Sequence, residues 1–270
     1  MNTIATINET KRLLSKYDYF AKKKYGQNFL ISSNVVDNIL QAVDKDTTVV
    51  EIGPGLGAIS QLACMKAKEV FAFEIDQDLC RILKENIVFD NFHLENLDFL
   101  KLNLNSFLSQ INGKKIIISN LPYYITSEIL TKVILQSGNY DCLIAMMQKE
   151  VANRFVGKAD KKQINQLQIL AQLCCECEVV CQVNRNNFIP APNVDSTILM
   201  FKNKFINFDI DLMDFYQFLN ACFMHRRKSV LTNLAASGYK KIQQDKYITK
   251  RVEQLSLNDY LFLYGEVKND

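Results

Sequence analysis

Ser119-Asn120-Leu121-Pro122-Tyr123-Tyr124 is the stretch of this chain whose residue types can do the most specific chemistry. The exocyclic amine of a purine is a poor nucleophile, because its lone pair is delocalised into the ring. A site improves it by accepting both N–H bonds, which holds the lone pair toward an electrophile. The side-chain oxygen of Asn120 offers one acceptor. The carbonyl of Leu121 offers the other, since a residue before proline is confined to an extended conformation. Pro122 stiffens the turn and has no N–H to compete. Tyr123 supplies a ring on which an extracted base can stack, worth roughly 1–3 kcal/mol per base. The pattern suits methyl transfer to the N6 amine of adenine, and that transfer needs no general base because the attacking amine and the leaving sulfide are both neutral.

A second constellation lies upstream. Val49-Val50-Glu51-Ile52-Gly53-Pro54-Gly55-Leu56-Gly57 reads as a strand entering a glycine turn that opens a helix. Glycines admit a ligand close to the backbone, and the helix start favours a carboxylate or phosphate. Glu74 follows Gly53 by about 20 residues, at the end of the next strand, where a carboxylate accepts from a ribose diol. Gly53, Gly55 and Ala58 also meet the loose dinucleotide pattern, so a nicotinamide cofactor stays an alternative at this point. Glu51 favours S-adenosylmethionine, because an acid two residues before the first glycine can organise a methionyl ammonium. Asp98, after the third strand, is placed to accept from an adenine amino group or simply to cap a turn.

The elements that must hold these residues follow from hydrophobic spacing. Strands are expected at Thr48 to Ile52, Val70 to Glu74, His93 to Leu97, Lys115 to Ser119, Tyr140 to Met147, Glu178 to Val183 and Ser196 to Phe201. Helices are expected after Ser32 and Ser33, around Ile59 to Ala63, from Asp76 to about Asn91, over Ile125 to Ile134, and from about Lys161 to Leu173. Alternating strands and helices imply an α/β parallel sheet with helices on both faces. After Phe201 only helical spacing continues, through Leu212, Phe215, Leu219 and Phe223. The expected division is a main domain over 1–203, with 1–30 as a basic N-terminal arm, and a small all-helical domain over 204–270.

Composition bounds the partners. Of 270 residues, 48% are hydrophobic and 23% charged, the balance of a soluble globular protein. No apolar run is long enough to cross a membrane. The first twenty residues mix acids with bases and lack the apolar stretch of a secretory signal, so a cytoplasmic location is expected. The eight cysteines then read as reduced, buried thiols. The Cys174 to Cys181 run lacks a histidine or second cysteine pair at zinc spacing, so no metal site is proposed. The net charge of +3 is small, but its distribution is not even. Lys11, Arg12, Lys16, Lys22, Lys23 and Lys24 crowd one end. Arg226, Arg227, Lys228, Lys240, Lys241, Lys246, Lys250 and Arg251 crowd the other, opposed only by Asp245. Two basic clusters on a near-neutral chain point to a polyanionic partner. Lys22 to Lys24 and Arg226 to Lys228 are the candidates for RNA phosphate contact.

In order and spacing the chain resembles the ribosomal RNA adenine dimethyltransferases. The resemblance rests on Gly26-Gln27-Asn28-Phe29-Leu30, Glu51-Ile52-Gly53-Pro54-Gly55, Glu74-Ile75-Asp76 and Asn120-Leu121-Pro122-Tyr123. It continues through Phe188-Ile189-Pro190-Ala191-Pro192-Asn193-Val194-Asp195-Ser196 and Phe223 with Arg226-Arg227-Lys228. It implies a Rossmann-like sheet of seven mostly parallel strands, cofactor contacts from Asn28, Leu30, Gly53, Glu74, Asp98 and Asn120, and a role for Phe188 closing the second face of the target base. It implies conversion of two adjacent adenines, in a hairpin near the 3′ end of small-subunit RNA within a ribosomal particle, to N6,N6-dimethyladenine, by a monomeric enzyme. A sister branch acts on large-subunit RNA. Leu121, where that branch tends to have isoleucine, and Val194-Asp195-Ser196 favour the small-subunit reading.

Overall fold

The β-branched runs fold into strands buried on both faces, as a sheet covered by helices requires. A computed structural model describes residues 2–157, 163–204, 210–239, 242 and 244–268. Its strands are β1 (Phe29–Leu30), β2 (Thr48–Ile52), β3 (Glu69–Glu74), β4 (Phe92–Asn96), β5 (Lys115–Asn120), β6 (Cys142–Gln148), β7 (Cys175–Val183), β8 (Phe188–Ile189) and β9 (Ser196–Asn203). Seven form one sheet in the order β4-β3-β2-β5-β6-β9-β7, and β1 pairs with β8 separately. Pairing is parallel from β4 to β6, while β9 runs antiparallel to both β6 and β7. This is the expected seven-stranded, mostly parallel sheet.

The helices are α1 (Ile7–Lys16), α2 (Ser33–Ile39), α3 (Ala58–Cys64), α4 (Gln77–Asn86), α5 (Leu104–Ser109), α6 (Thr126–Ile134), α7 (Lys149–Phe155), α8 (Gln166–Cys174), α9 (Leu212–Cys222), α10 (Val230–Ala236) and α11 (Leu257–Lys268). Helix α4 stops before the expected Asn91. The Asn86 side chain donates to the Ile82 carbonyl at 2.7 Å, competing for a backbone acceptor, and Ile87 turns extended to bury itself. Helix α8 begins later than expected because Asn165 and Gln168 form a capping box. The start expected at Lys161 lies outside the described residues.

The first thirty residues, expected as a basic arm, pack onto the sheet domain. Thr6 caps α1, Leu13 on that helix is fully buried, and the Ile4 N–H donates to Gln61 of α3 at 2.8 Å. Burial of Ile4, Leu13 and Tyr19 outweighs the solvation of the intervening lysines. Helices α1 to α4 pack in one core cluster. The other cluster joins α5, α6 and α8 to the C-terminal helices, with Phe215, Phe218 and Tyr260 continuous with Ile117 and Phe201 of the sheet. Across the expected 203/204 boundary the packing is therefore uninterrupted, and residues 205–209 lie outside the described ones.

Strand β2 lies between β3 on one side and β5 on the other. Connections leave β2 one way and resume at β5 the other way, which opens a crevice at their carboxyl ends. Gly53 to Gly57 and Asn120 to Tyr123 both emerge there. Gly57 suits this turn: its φ is +90°, where other residues are strained, and an added Cβ would lie 2.5 Å from Ile87 Cδ1 and 2.8 Å from Leu83 Cδ2, which would have to move.

Candidate active site

A cleft of about 1050 Å³ of atom-free space, part of it open to solvent, occupies this crevice. Asn28, Leu30, Glu51, Gly53, Gly55, Glu74 and Asp98, all expected to contact cofactor, line it. Asn120, Leu121, Pro122 and Tyr123 line it too. Residues separated by nearly a hundred positions in the chain thus share one wall.

The floor carries two buried carboxylates. Glu51, 1% exposed, accepts from Ser60 Oγ at 2.5 Å. Glu74, 4% exposed, accepts from the N–H groups of Gly55 at 3.1 Å and Asp76 at 2.9 Å. Burial pushes Glu51 up to about 7, against the opposing Ser60 bond, with the nearby charge of Glu74 adding to the rise. Burial likewise pushes Glu74 up to about 7, although the Asp76 and Gly55 N–H groups favour its charged form. Among the described residues neither carboxylate has a salt-bridge partner within 4 Å. Two buried acids without a cation are costly unless a ligand brings positive charge and donors.

S-adenosylmethionine fits that demand, with an ammonium and a sulfonium for the acids and a ribose diol for Glu74. The pyrophosphate of a dinucleotide would add negative charge to the same floor, which argues against the nicotinamide alternative. Apolar Phe73, Leu97 and Phe99 complete the wall and suit an adenine ring. Asp98 lines this part of the cleft and also caps a turn, accepting from the Leu100 N–H at 3.0 Å.

At the lip, the Leu121 N–H donates to the Met146 carbonyl at 3.0 Å, extending the pairing of β5 with β6 by one residue. Pro122 is extended, with ψ of 126°. Among the described residues no backbone donor reaches the Leu121 carbonyl. Asn120 Nδ2 donates to the Asn28 carbonyl at 3.1 Å, which leaves Asn120 Oδ1 as the free acceptor. The Tyr123 ring is half-buried and tied through its hydroxyl to Ser196 Oγ at 2.8 Å.

Three expected residues are placed differently. Phe188 does not line the cleft. It is 3% exposed and pairs with Leu30 in the β1–β8 ladder, so it backs the segment over the site rather than offering a free ring. Lys22 is not free for phosphate: its Nζ bridges Asp76 Oδ1 and Asp78 Oδ2, each at 2.7 Å. Arg226 donates to the Ile164 carbonyl, while Arg227 and Lys228 are exposed with it in the loop before Ser229, the cap of α10. Lys23 and Lys24 are exposed; Lys240 and Lys241 lie outside the described residues. Sequence reasoning assigned no role to Ser60, Ser196, Tyr19, Gln27 or Asp76. Gln27, Asp76 and Ser196 stood inside quoted motifs, but the Gln27–Asp76, Tyr19–Asp76 and Tyr123–Ser196 contacts join residues about fifty or more apart in sequence.

This glycine turn, carboxylate pair and sheet order define a class I methyltransferase. The family model for ribosomal RNA adenine dimethylase matches residues 20–267, and the chain belongs to that family, whose members dimethylate adenine in ribosomal RNA with S-adenosylmethionine. It is 38% identical over 249 residues to the ribosomal RNA small subunit methyltransferase A of Lactococcus lactis, covering 88% of this chain and 83% of that protein. It is 36% identical to the protein of the same name from Bacillus thuringiensis, covering 97% of each. In fold it matches a dimethyladenosine transferase from Plasmodium falciparum, with a TM-score of 0.73, 23% identity and coverage of 89% and 98%. The 23S rRNA methyltransferase ErmE matches with a TM-score of 0.65 and 21% identity, covering 89% and 99%. Among the described residues no helix is long and apolar enough to cross a membrane.

Proposed function

We propose that the chain dimethylates two adjacent adenines in a hairpin near the 3′ end of small-subunit ribosomal RNA, within an assembling ribosomal particle, as a cytoplasmic monomer. Relatives over nearly the whole chain carry the small-subunit name, which supports that substrate over large-subunit RNA. When bound, S-adenosylmethionine supplies an electrophilic sulfonium methyl. Glu51 would hold its ammonium, Glu74 its ribose hydroxyls and Asp98 its adenine amine. The observation that carries the reading is Asn120, whose amide nitrogen is engaged by Asn28. Its oxygen and the Leu121 carbonyl then accept the two N–H bonds of the flipped adenine, and Tyr123 stacks on one face of the ring. The proton released on methylation leaves to water.

The direct test offers tritiated S-adenosylmethionine to unmethylated small subunits and large subunits side by side. Label on the small-subunit RNA, recovered as N6,N6-dimethyladenine with two modified sites per particle, is the expected result. Label on large subunits alone would move the chain to the other substrate.

Exposed Arg227 and Lys228, with Arg226, are proposed to meet phosphate. Replacing all three by Ala should weaken RNA binding and reduce the slope of log affinity against log salt by about 2 to 3. An unchanged slope removes them from the interface.

A further inference from the structure

One buried carboxylate outside the cleft organises four groups. Asp76, 2% exposed, caps α4 through the Asp78 N–H at 3.0 Å. Its Oδ2 accepts from Tyr19 Oη at 2.8 Å and Gln27 Nε2 at 3.1 Å, and its Oδ1 takes the Lys22 ammonium at 2.7 Å. Gln27 Oε1 closes the network: it lies 2.7 Å from Tyr19 Oη, whose single proton it shares with Asp76, and accepts from the Lys22 N–H at 2.7 Å. Burial alone would raise Asp76, yet the Lys22, Tyr19 and Gln27 bonds outweigh it and hold the carboxyl below its usual range.

The network pins Tyr19 to Gln27 onto the β3–α4 junction. The strand pair of Phe29 and Leu30 with β8 pins the other side, as does the Ile31 N–H to the Asn187 carbonyl at 2.9 Å. Asn28 lies between these two anchors. Its side chain is turned back to the Gly26 carbonyl at 3.0 Å, and its own carbonyl receives Asn120 Nδ2. The same Asp76 presents its backbone N–H to Glu74 Oε1.

We propose that the Asp76 latch is a positioning device for methyl transfer: by fixing the Gly26–Leu30 segment it holds the Asn28 carbonyl where it orients the Asn120 amide, oxygen toward the target amine. Tyr19 and Asp76 lie outside the cleft lining and act as positioning residues, and Gln27 links them to the wall that it shares with Asn28. The inference deepens the proposed function and rests on its assignment of Asn120. An asparagine amide can turn over with little steric change, so its direction is set by its partner. Without a fixed carbonyl at Asn28 the amide would sample the flipped orientation, presenting donors to an amine that is itself a donor.

Tyr19→Phe is the test, because it deletes only the hydroxyl that bridges Asp76 and Gln27. In protein labelled with ¹⁵N-asparagine, the Asn120 side-chain amide resonance, assigned by its absence in Asn120→Ala, is expected to shift toward the value of a free amide. Single-turnover methylation should slow about tenfold, with KM for RNA unchanged within twofold. A merely structural role would lower the melting temperature and active fraction but leave the Asn120 resonance and the per-site rate of the folded protein in place. Tyr19→Phe with wild-type resonance and rate would overturn the proposal. Asp76→Asn, which keeps an acceptor but loses the Lys22 ion pair, should shift the same resonance and supplies the check if Tyr19→Phe folds poorly. Wild-type protein inactive on RNA, yet with a shifted resonance in both variants, would instead strike the proposed function and leave the latch standing.

Discussion

An Asn120→Ala protein should fold, bind S-adenosylmethionine, and methylate RNA about 100- to 1000-fold more slowly than wild type. The magnitude follows from removing one fixed hydrogen-bonding group aimed at the reacting centre in a water-poor cleft. Deleting a neutral side-chain hydrogen bond to the cofactor would cost only about 1 kcal/mol, so its dissociation constant should rise by no more than about tenfold. The asymmetry arises because Asn120 stands at the lip, with Nδ2 spent on the Asn28 carbonyl and only Oδ1 left for substrate. The neighbouring Leu121 carbonyl belongs to the backbone and survives the substitution, which is why some residual rate is expected. Isothermal calorimetry with the demethylated cofactor and single-turnover methylation would measure the two quantities on the same protein. A full rate would remove Asn120 from the chemistry, and an affinity loss that accounts for the entire rate loss would show that it serves the cofactor and not the amine.

How much of this was legible in the chain depended on the range of the interaction. Strands β2 and β5 were readable because burial on both faces leaves β-branched runs, as in Thr48 to Ile52 and Lys115 to Ser119. Helix α8 was shifted because its start is set by the reciprocal Asn165–Gln168 cap, a local signal that hydrophobic periodicity does not contain. Short helices such as α5 and α7 present fewer than two full turns of pattern. The cleft residues from Glu51 to Tyr123 were found because each stands at the end of a strand, and parallel sheets bring strand ends together. Phe188 and Lys22 were misjudged for the opposite reason. An aromatic and a cation look available in sequence, but the Phe188 side chain is buried behind the Phe29–Leu30 segment and Lys22 is paired with two acids more than fifty residues away. Nothing local announces a partner at that distance. The first thirty residues show the same effect: their lysines mark a basic segment in sequence, but three largely apolar side chains and one buried aspartate decide where it sits.

The second large effect concerns Glu74. Glu74→Gln should weaken cofactor binding about 10- to 100-fold at pH 8, since hydrogen bonds to a charged acceptor contribute about 1.5–3 kcal/mol and the new amide turns one acceptor into a donor. Burial places the wild-type carboxyl at about 7 in the ligand-free protein, and only the ionised form offers full acceptor strength. Wild-type affinity should therefore hold between pH 8 and 9 and fall as pH drops, losing about tenfold or more by pH 6. The Gln variant should fall less steeply, with Glu51, also at about 7, supplying the remaining slope. Stability should move the opposite way. A carboxyl held above its unfolded value of 4.5 favours the folded state at low pH, and that contribution is lost as pH rises from 4.5 through 7. For a group this buried the displacement corresponds to about 3 kcal/mol at pH 8. Glu74→Gln sets an NH₂ against either the Gly55 or the Asp76 N–H, which offsets about 1–3 kcal/mol of that relief, so it should melt only slightly higher than wild type at pH 8 without cofactor and lower at pH 4. Denaturation at the two pH values, paired with calorimetry across pH 6 to 9, separates the effects. A Gln variant less stable than wild type at pH 8 would mean that the carboxylate is compensated within the protein, and that its burial was not held in reserve for a cationic ligand.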